Sequence, residues 1–428
     1  MKKVAVFGLG FVGLPLALSF AMHGCKVYGV DIDPVLVEEL NAGITYHLES
    51  HNGRIIQDIL QGELDSGRFK ATMDVAEVMN ECDSFIVTVG LPVVNGNPDM
   101  MPLITVCRSI ADGLKLGDLV LIRSTVIPGT TQGTVMPLLE TSGLVCGSDF
   151  YLAYSSERIA EGQAFYEFEN MPAALAGVND ISTDKASELV SVVTKAEIVK
   201  ASQIEVVECA KVMENLSRDV DIAMSQEFAR FSRTIGVDIF EVIKVANTHQ
   251  RVNLMTPGPG VGGYCLPNAL YYLLPRAHEH NIELPLSTTA RKINDSVPAY
   301  VAGLVMQNLS VPPNQSKIAV LGIAMKDYSN DDRISPALDV IRHLQLAGCK
   351  VAAYDPAVPT QHPFKVDSLE EALDRAHSAV ILARQKEIDY SNLSLFKSKM
   401  ASSALIVDTR NIYHQDEVEQ HSLRLVSL

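Results

Sequence analysis

The chain has 428 residues, 47% of them hydrophobic, which is typical of a soluble globular protein with two or three domains. Its formal net charge of −16 argues against nucleic acid and anionic membranes as general partners. The sequence has no apolar run of about 18 residues, so we predict no membrane-spanning helix. The seven cysteines are scattered without CxxC or Cys/His spacing, so we expect a reducing cytoplasmic setting and no metal site.

The first predicted elements form a βαβ unit. An apolar helix is predicted over about 11–23, between two short runs rich in β-branched residues. Such runs recur along the N-terminal part, at 3–7, 26–31, 84–90 and 119–125. Because helical patterns separate them, we predict a doubly wound sheet over roughly 1–195.

A glycine-rich turn, GLGFVG, joins the first strand to the first helix. Gly8 permits the tight turn, Gly10 lets a pyrophosphate approach the backbone, and Gly13 allows close packing of helix and strand. Asp31 ends the second strand, 18 residues past Gly13, where an acid binds a ribose diol and repels a 2′-phosphate. The pattern therefore predicts NAD binding, with contacts from Gly8, Gly10, Phe11, Val12, Gly13 and Asp31.

The middle of the chain is helical, with one long helix over about 203–234 and shorter helices to about 300. The long helix is either a dimer surface or a plain core helix, and the pattern leaves both open. After a linker at 310–317, strand and helix patterns alternate again and predict a second α/β domain. The fold class is α/β, with two Rossmann-like domains, 1–200 and 313–428, joined by a helical domain, 201–312.

Cys265 follows a glycine-rich loop, GPGVGG. A catalytic thiol needs a small, partly exposed site, and the glycines would leave room for a ligand there. The alternative is a small buried core residue. We favour the nucleophile because an NAD site lies on the same chain.

Three polar residues are candidates for the same chemistry. Lys211 and Asn215 lie four residues apart on the long helix and share one face, which is either solvated or suited to stabilising an oxyanion. Glu157 follows a predicted strand and is either a base or a helix cap.

Taken together, the motifs resemble the UDP-glucose/GDP-mannose dehydrogenase family over essentially the whole chain. The matching phrases occur in order along the chain and are GLGFVG, RSTVIPGTT, SERIAEG, KVMENLSRDVDIA, ANTHQRVNLMTPGPGVGGYC, VLGIAMK with DDRISPAL, and DTRN. The resemblance implies oxidation of the C6 alcohol of a nucleotide sugar to a carboxylate with two NAD, feeding cell-surface polysaccharide synthesis.

The resemblance also implies roles for individual residues. Cys265 would form a thiohemiacetal and then a thioester, Lys211 and Asn215 would stabilise oxyanions, and Glu157 and Thr125 would handle water and protons. The implied cofactor contacts include Thr125, Glu161 and Arg333. The implied substrate contacts are Glu157, Arg158, Lys211, Asn215, Arg251, Gly260, Gly262, Lys326 and Arg410. In such families the residue at position 251 reaches the partner's site, which implies a homodimer or higher homo-oligomer.

The phrases resemble the UDP-N-acetylhexosamine branch more than the UDP-glucose branch, because Arg158 stands where the latter usually has Phe. Two departures stand out. Asn268 and Ala269 replace the usual Lys and Asp after the cysteine, which questions the thioester hydrolysis. VGLP at 89–92 replaces a V-P-T-P-like turn near the cofactor phosphates.

Three other functions remain open from the sequence. They are a UDP-glucose 6-dehydrogenase, a two-electron hydroxyacid-type dehydrogenase that needs no cysteine, and a nucleotide-sugar-binding paralogue with impaired hydrolysis.

Overall fold

The computed structural model describes residues 2–428, which fall into two units. Unit 1 comprises 2–214 and 271–282, and unit 2 comprises 215–270 and 283–428. The 31-residue helix α9, Ile204–Thr234, passes through the boundary between them, close to the limits expected from its periodicity. None of the helices within residues 2–428 is both long enough and apolar enough to cross a membrane.

Unit 1 contains an eight-stranded sheet in the order β12-β11-β10-β9-β6-β1-β2-β5. All pairs are parallel except β10 with β11. The strands of unit 1 are β1 Lys3–Phe7, β2 Lys26–Val30, β3 Ser50–His51, β4 Arg54–Ile55, β5 Phe69–Thr72, β6 Ser84–Val87, β7 Val93–Val94, β8 Asn97–Pro98, β9 Leu119–Ile122, β10 Tyr151–Ser155, β11 Ala173–Gly177 and β12 Ile198–Lys200. Because β1 pairs with both β2 and β6, strand order reverses there, as in a doubly wound fold.

The helices of unit 1 cover the sheet with apolar faces, and Leu14, Leu16 and Phe20 of the first helix are almost fully buried. They are α1 Gly13–Met22, α2 Pro34–Asn41, α3 Ile56–Asp65, α4 Val75–Glu81, α5 Met101–Ala111, α6 Met136–Glu140, α7 Ala164–Asn170 and α8 Asp180–Val190. Continuous burial along β1 and β9 explains why these strands are apolar runs without alternation.

Unit 2 contains a five-stranded parallel sheet in the order β14-β13-β15-β16-β17. Its strands are β13 Lys317–Leu321, β14 Lys350–Tyr354, β15 Ser378–Ile381, β16 Leu405–Asp408 and β17 Arg424–Ser427. The remaining helices are α10 Ile239–Ala246, α11 Cys265–Glu279, which begins in unit 2 and continues into unit 1, α12 Pro285–Asn308, α13 Pro336–Leu346, α14 Leu369–Leu373, α15 Leu393–Lys399 and α16 Gln415–Gln420. The predicted fold class, with two Rossmann-like sheets and a long helix, is confirmed.

Candidate active site

The glycine-rich turn after β1 has the geometry of a dinucleotide loop. Gly8 has a φ of 92°, and a Cβ on Gly13 would lie 1.7 Å from the carbonyl oxygen of Gly8. Only glycine fits at position 13, so α1 packs directly against the strand end. The backbone N–H of Leu9 donates to Asp31 Oδ2 at 2.7 Å, which fixes the acid at the end of β2. The residues present therefore fit an NAD pyrophosphate at the start of α1 and a ribose beside Asp31.

Aromatic side chains cover this loop, which the sequence did not reveal. The rings of Tyr46 and His47 are stacked with centroids 4.3 Å apart, and Tyr46 contacts Phe11 at 5.4 Å. His47 Nε2 donates to the carbonyl oxygen of Gly10 at 3.2 Å. This segment has no periodicity, so only the tertiary structure places it on the loop.

Glu157 and Arg123 form a buried ion pair at the ends of two adjacent strands. Arg123 Nη2 lies 2.6 Å from Glu157 Oε2, and the two side chains are 8% and 9% exposed. Glu157 Oε1 accepts the backbone N–H groups of Arg158 and Ile159 at 2.7 and 3.0 Å. Glu157 therefore fixes its own loop, and the helix-cap alternative is wrong because the next helix begins at Ala164. Arg123 was not among the residues predicted from the sequence, although a cationic residue directly after a buried strand could have indicated it.

Arg158 also makes an ion pair within unit 1. Its Nε lies 3.0 Å from Glu214 Oε1, its Nη2 binds the same carboxylate, and its Nη1 donates to the carbonyl oxygen of Pro172 at 3.1 Å. Glu214, on α9, was not among the predicted residues. Glu157 and Arg158, in the SERIAEG loop, are thus each held by a counter-ion.

The loop that carries Glu161 is fixed by a further buried carboxylate. Glu49, which is 2% exposed, accepts the backbone N–H groups of Gly162 and Ala164 at 2.6 and 2.9 Å. Thr125 belongs to the loop after β9, whose residues Gly129 and Thr131 donate their N–H groups to the carboxylate of Glu208 on α9. Thr125, Glu157, Arg158 and Glu161 therefore lie on loops with defined anchors.

Lys211 and Asn215 occupy successive turns of α9 and are 8% and 6% exposed. The solvated-face alternative for this pair is wrong, because both side chains are buried. A buried ammonium and a buried amide one helical turn apart are suited to stabilising a negative oxygen.

The glycines before Cys265 fit the loop against the 325–336 segment of unit 2. Cβ atoms on Gly260 and Gly262 would each lie 2.7 Å from Pro336, and one on Gly263 would lie 2.6 Å from the Sδ of Met325. Gly263 donates its N–H to the carbonyl oxygen of Ile334 at 3.3 Å. Close packing between two chain segments, rather than an open space for a ligand, thus accounts for these glycines. That Gly260 and Gly262 contact the substrate stays a prediction.

Cys265 is the first residue of α11 and is exposed, as a reactive thiol requires. Asn268 and Ala269 lie three and four residues further along the same helix and are 7% and 1% exposed. Position 269 is therefore buried, and it carries only a methyl group. The other departure from the family pattern is the VGLP turn at 89–92. It contains Leu91, whose carbonyl oxygen accepts a hydrogen bond from the hydroxyl of Tyr272.

The 325–336 segment also carries two predicted ligand-binding residues. Arg333 is held bidentately by Asp331, at 2.9 and 2.8 Å, and its guanidinium carbon lies 5.0 Å from the ring centre of Tyr264. Lys326 precedes Asp327 on the same segment. In unit 2 the structure therefore brings the segment that carries both predicted residues next to the cysteine loop.

Arg410 lies beside the start of that loop. A Cβ on Gly258 would lie 2.8 Å from Arg410 Nη1, while Nη2 donates to Asp327 at 2.7 Å. Three residues on these loops, Tyr328, Ile334 and Asn411, have φ values of 58°, 50° and 52°. Such left-handed conformations are unfavourable for ordinary residues and concentrate at functional sites. Arg251 is exposed on the segment after α10.

Comparison with known proteins agrees with this geometry. The chain matches the three domain models of the UDP-glucose/GDP-mannose dehydrogenase family, with the NAD binding domain over residues 2–196, the central domain over 205–296 and the UDP binding domain over 319–415. The chain belongs to this family. It is therefore an NAD-dependent nucleotide-sugar dehydrogenase, as the sequence predicted.

Named relatives in the family match along nearly the whole chain. A UDP-N-acetyl-D-mannosamine dehydrogenase of Pyrococcus horikoshii is 36% identical over 97% of each chain. A UDP-N-acetyl-D-glucosamine 6-dehydrogenase of Pseudomonas aeruginosa is 32% identical over 89% of this chain and 90% of the relative. The solved structure of a UDP-D-ManNAc dehydrogenase from Pyrococcus horikoshii has a TM-score of 0.91 and 35% identity, covering 99% of each chain.

Proposed function

We propose that this dehydrogenase oxidises the C6 alcohol of a UDP-N-acetylhexosamine, with UDP-N-acetyl-D-mannosamine as the leading substrate, to the uronic acid used in cell-surface polysaccharides. The observation that carries the proposal is the exposed thiol of Cys265 on a loop packed against the segment of Lys326 and Arg333. The names of the relatives support the acetylated sugar, and so does Arg158 where the UDP-glucose branch has Phe.

In this proposal the thiol carries the substrate between two oxidations. When bound, NAD takes up the two electrons of each oxidation. After the alcohol has become an aldehyde, Cys265 Sγ adds to the carbonyl carbon and forms a thiohemiacetal. The second oxidation gives a thioester, and one water then breaks the C–S bond, releasing the carboxylate and restoring the thiol.

The polar residues have separate tasks. Lys211 and Asn215 stabilise the oxyanion that develops at C6 in each addition step, and their burial supports this because a water-poor setting strengthens such interactions. Thr125 and Glu157 orient the hydrolytic water. Since Ala269 supplies no carboxylate, we infer that hydrolysis is the slowest chemical step.

We also propose a homodimer in which Arg251 completes the partner's site. Large apolar side chains on one face of α9 support this, since Met224, Phe228 and Phe231 are 38%, 38% and 63% exposed. The dimer is tested by measuring the molar mass of the protein with light scattering on a gel-filtration column. Phe231→Glu should convert the dimer to a monomer, because it places a charge on the apolar face of α9.

The free state of the cysteines supports a cytoplasmic setting.

An end-point assay tests the reaction. UDP-ManNAc, UDP-GlcNAc and UDP-glucose are each oxidised to completion with excess NAD, and NADH is counted per sugar. We expect two NADH per UDP-N-acetylhexosamine. No NADH from any of the three would contradict the substrate class, and one NADH per sugar would contradict the four-electron reaction.

A further inference from the structure

A cluster of charged residues lies beyond the carboxyl ends of three adjacent strands in unit 2. Asp327 follows β13, Arg384 follows β15 and Arg410 follows β16. The chain leaves β13 for β14 on one side of the sheet and returns to β15 on the other, so strand order reverses between β13 and β15. Ligands of open α/β sheets bind at such a reversal, outside the carboxyl ends of the strands.

One carboxylate holds both arginines of this cluster. Asp327 Oδ2 accepts from Arg410 Nη2 at 2.7 Å and from Arg384 Nε at 3.0 Å. Burial would raise the pKa of Asp327, but its hydrogen bonds and ion pairs with the two arginines hold that pKa below its usual value. The carboxylate of Asp408, at the end of β16, also acts electrostatically on Arg384, so two guanidinium groups lie near two carboxylates.

The arginines keep donors that Asp327 does not use. Arg384 binds Asp327 only through Nε and its backbone N–H, and its side chain is 39% exposed. Its Nη1 and Nη2 groups lie on this partly exposed side chain, within reach of a ligand, and among residues 2–428 the Nε of Arg410 is buried without a partner. Guanidinium groups present their N–H donors in a planar fork that matches phosphate oxygens. The unused donors therefore indicate an anionic ligand.

Two hydrogen bonds hold the backbone of Arg384 in place. The backbone N–H of Tyr328 donates to the carbonyl oxygen of Arg384 at 2.8 Å, and that of Arg384 donates to Asp327 Oδ1 at 2.8 Å. Tyr328 accepts a left-handed φ of 58° to make this contact. Such local strain is typical of binding loops, and a fixed guanidinium loses little entropy when it binds a phosphate.

We propose that Arg384 is a substrate-binding residue whose guanidinium binds the diphosphate of the UDP-sugar, together with Lys326 and Arg410. This rests on the proposed function, because it takes the ligand to be a nucleoside diphosphate. The contact is specific to the phosphates, so it serves binding rather than the chemistry at C6. The competing explanation is a purely structural ion pair that fixes the Asp327 loop.

Calorimetric titration of the full chain with UDP and with uridine separates these explanations. Arg384→Gln should weaken UDP binding on the order of tenfold and leave uridine binding unchanged, because only UDP has phosphates. The UDP affinity of Arg384→Lys should lie between those of the wild type and Arg384→Gln, because lysine keeps the positive charge but lacks the planar pair of N–H donors. The control is Arg342→Gln, which removes a charge from an exposed pair with Asp339 on the same unit and should change neither affinity.

The proposal is wrong if Arg384→Gln binds UDP like the wild type, or if it weakens UDP and uridine equally, as a displaced loop would. Should the Gln variant not fold, the same UDP-to-uridine comparison with Arg384→Lys decides. Failure of the wild type to oxidise any UDP-sugar would contradict the proposed function alone, since UDP titration does not depend on turnover. If UDP does not bind the wild-type protein, both proposals are wrong.

Discussion

The guanidinium of Arg333 lies over the ring of Tyr264, the residue directly before Cys265, with 5.0 Å between the guanidinium carbon and the ring centre. Asp331 also holds Arg333, through two hydrogen bonds. A predicted cofactor contact and the predicted nucleophile are therefore linked by one aromatic side chain. We expect the stack to fix the direction in which the cysteine loop enters α11.

Replacing Tyr264 tests this link. Tyr264→Leu should lower kcat/KM for the UDP-sugar about three- to tenfold, because a cation–π contact of about 1 kcal/mol is lost at the loop that carries the thiol. Tyr264→Phe keeps the ring and should retain nearly full activity. Steady-state kinetics of both variants make the comparison, and equal losses in the two would point to the hydroxyl rather than the stack.

Alkylation should single out Cys265. Within residues 2–428 it is the one cysteine whose side chain is exposed, whereas burial raises the pKa values of Cys82, Cys107 and Cys146 to about 12. Those three thiols stay protonated at pH 8 and react slowly. Peptide mass spectrometry after brief iodoacetamide treatment should therefore find Cys265 modified first, with activity lost in parallel. Cys146→Ser should leave the inactivation rate unchanged, and early labelling elsewhere would contradict the prediction.

Restoring the acid after the cysteine should accelerate the last step. Ala269→Asp places a carboxylate on α11 four residues after Cys265, at a position that is 1% exposed. We expect a several-fold higher kcat and less covalent sugar adduct on Cys265 in intact-mass spectra taken during turnover. Ala269→Asn is the matched control, since it has similar volume but no charge. An unchanged kcat in a folded Asp variant would mean that other groups already organise the water.

The buried ion pair of Arg123 and Glu157 should contribute strongly to stability. Arg123→Met leaves Glu157 without its counter-ion in a site less than 10% exposed, and should lower the free energy of unfolding by about 3–5 kcal/mol. Urea unfolding followed by circular dichroism measures the loss. Arg342→Met breaks the exposed pair with Asp339 and should cost less than about 1 kcal/mol. Similar losses in both variants would contradict the assignment.

A buried aspartate should make stability depend on pH. Burial raises the pKa of Asp118 from its ordinary value of 3.8 to about 6. The folded state therefore binds more protons than the unfolded state between these values, so this group lowers stability as the pH rises from about 4 to 6. Asp118→Asn should gain about 2 kcal/mol relative to the wild type over that window and keep the gain above it. Urea titrations at pH 4 and pH 7.5 measure the difference, and a gap that does not widen with pH would contradict it.

Local patterns predicted the parts of the site that depend on a few consecutive residues. GLGFVG with Asp31 predicted the NAD loop because strand, turn and helix are set by residues that are close in sequence. The limits of α9 followed from periodicity in the same way. Arg123, Glu214 and Arg384 were missed, because their importance comes from counter-ions that lie 34, 56 and 57 residues away in sequence.

The sequence by itself determined the two Rossmann-like folds, the NAD loop and the family, since these depend on hydrophobic periodicity and on ordered short motifs. Only the tertiary structure decided what the glycines before Cys265 do. They allow the loop to pack against Met325, Ile334 and Pro336, a contact between segments about 70 residues apart that no local pattern encodes. Only the tertiary structure likewise showed that Asp327 binds both Arg384 and Arg410. These residues meet because parallel strands bring their carboxyl ends to one edge of the sheet.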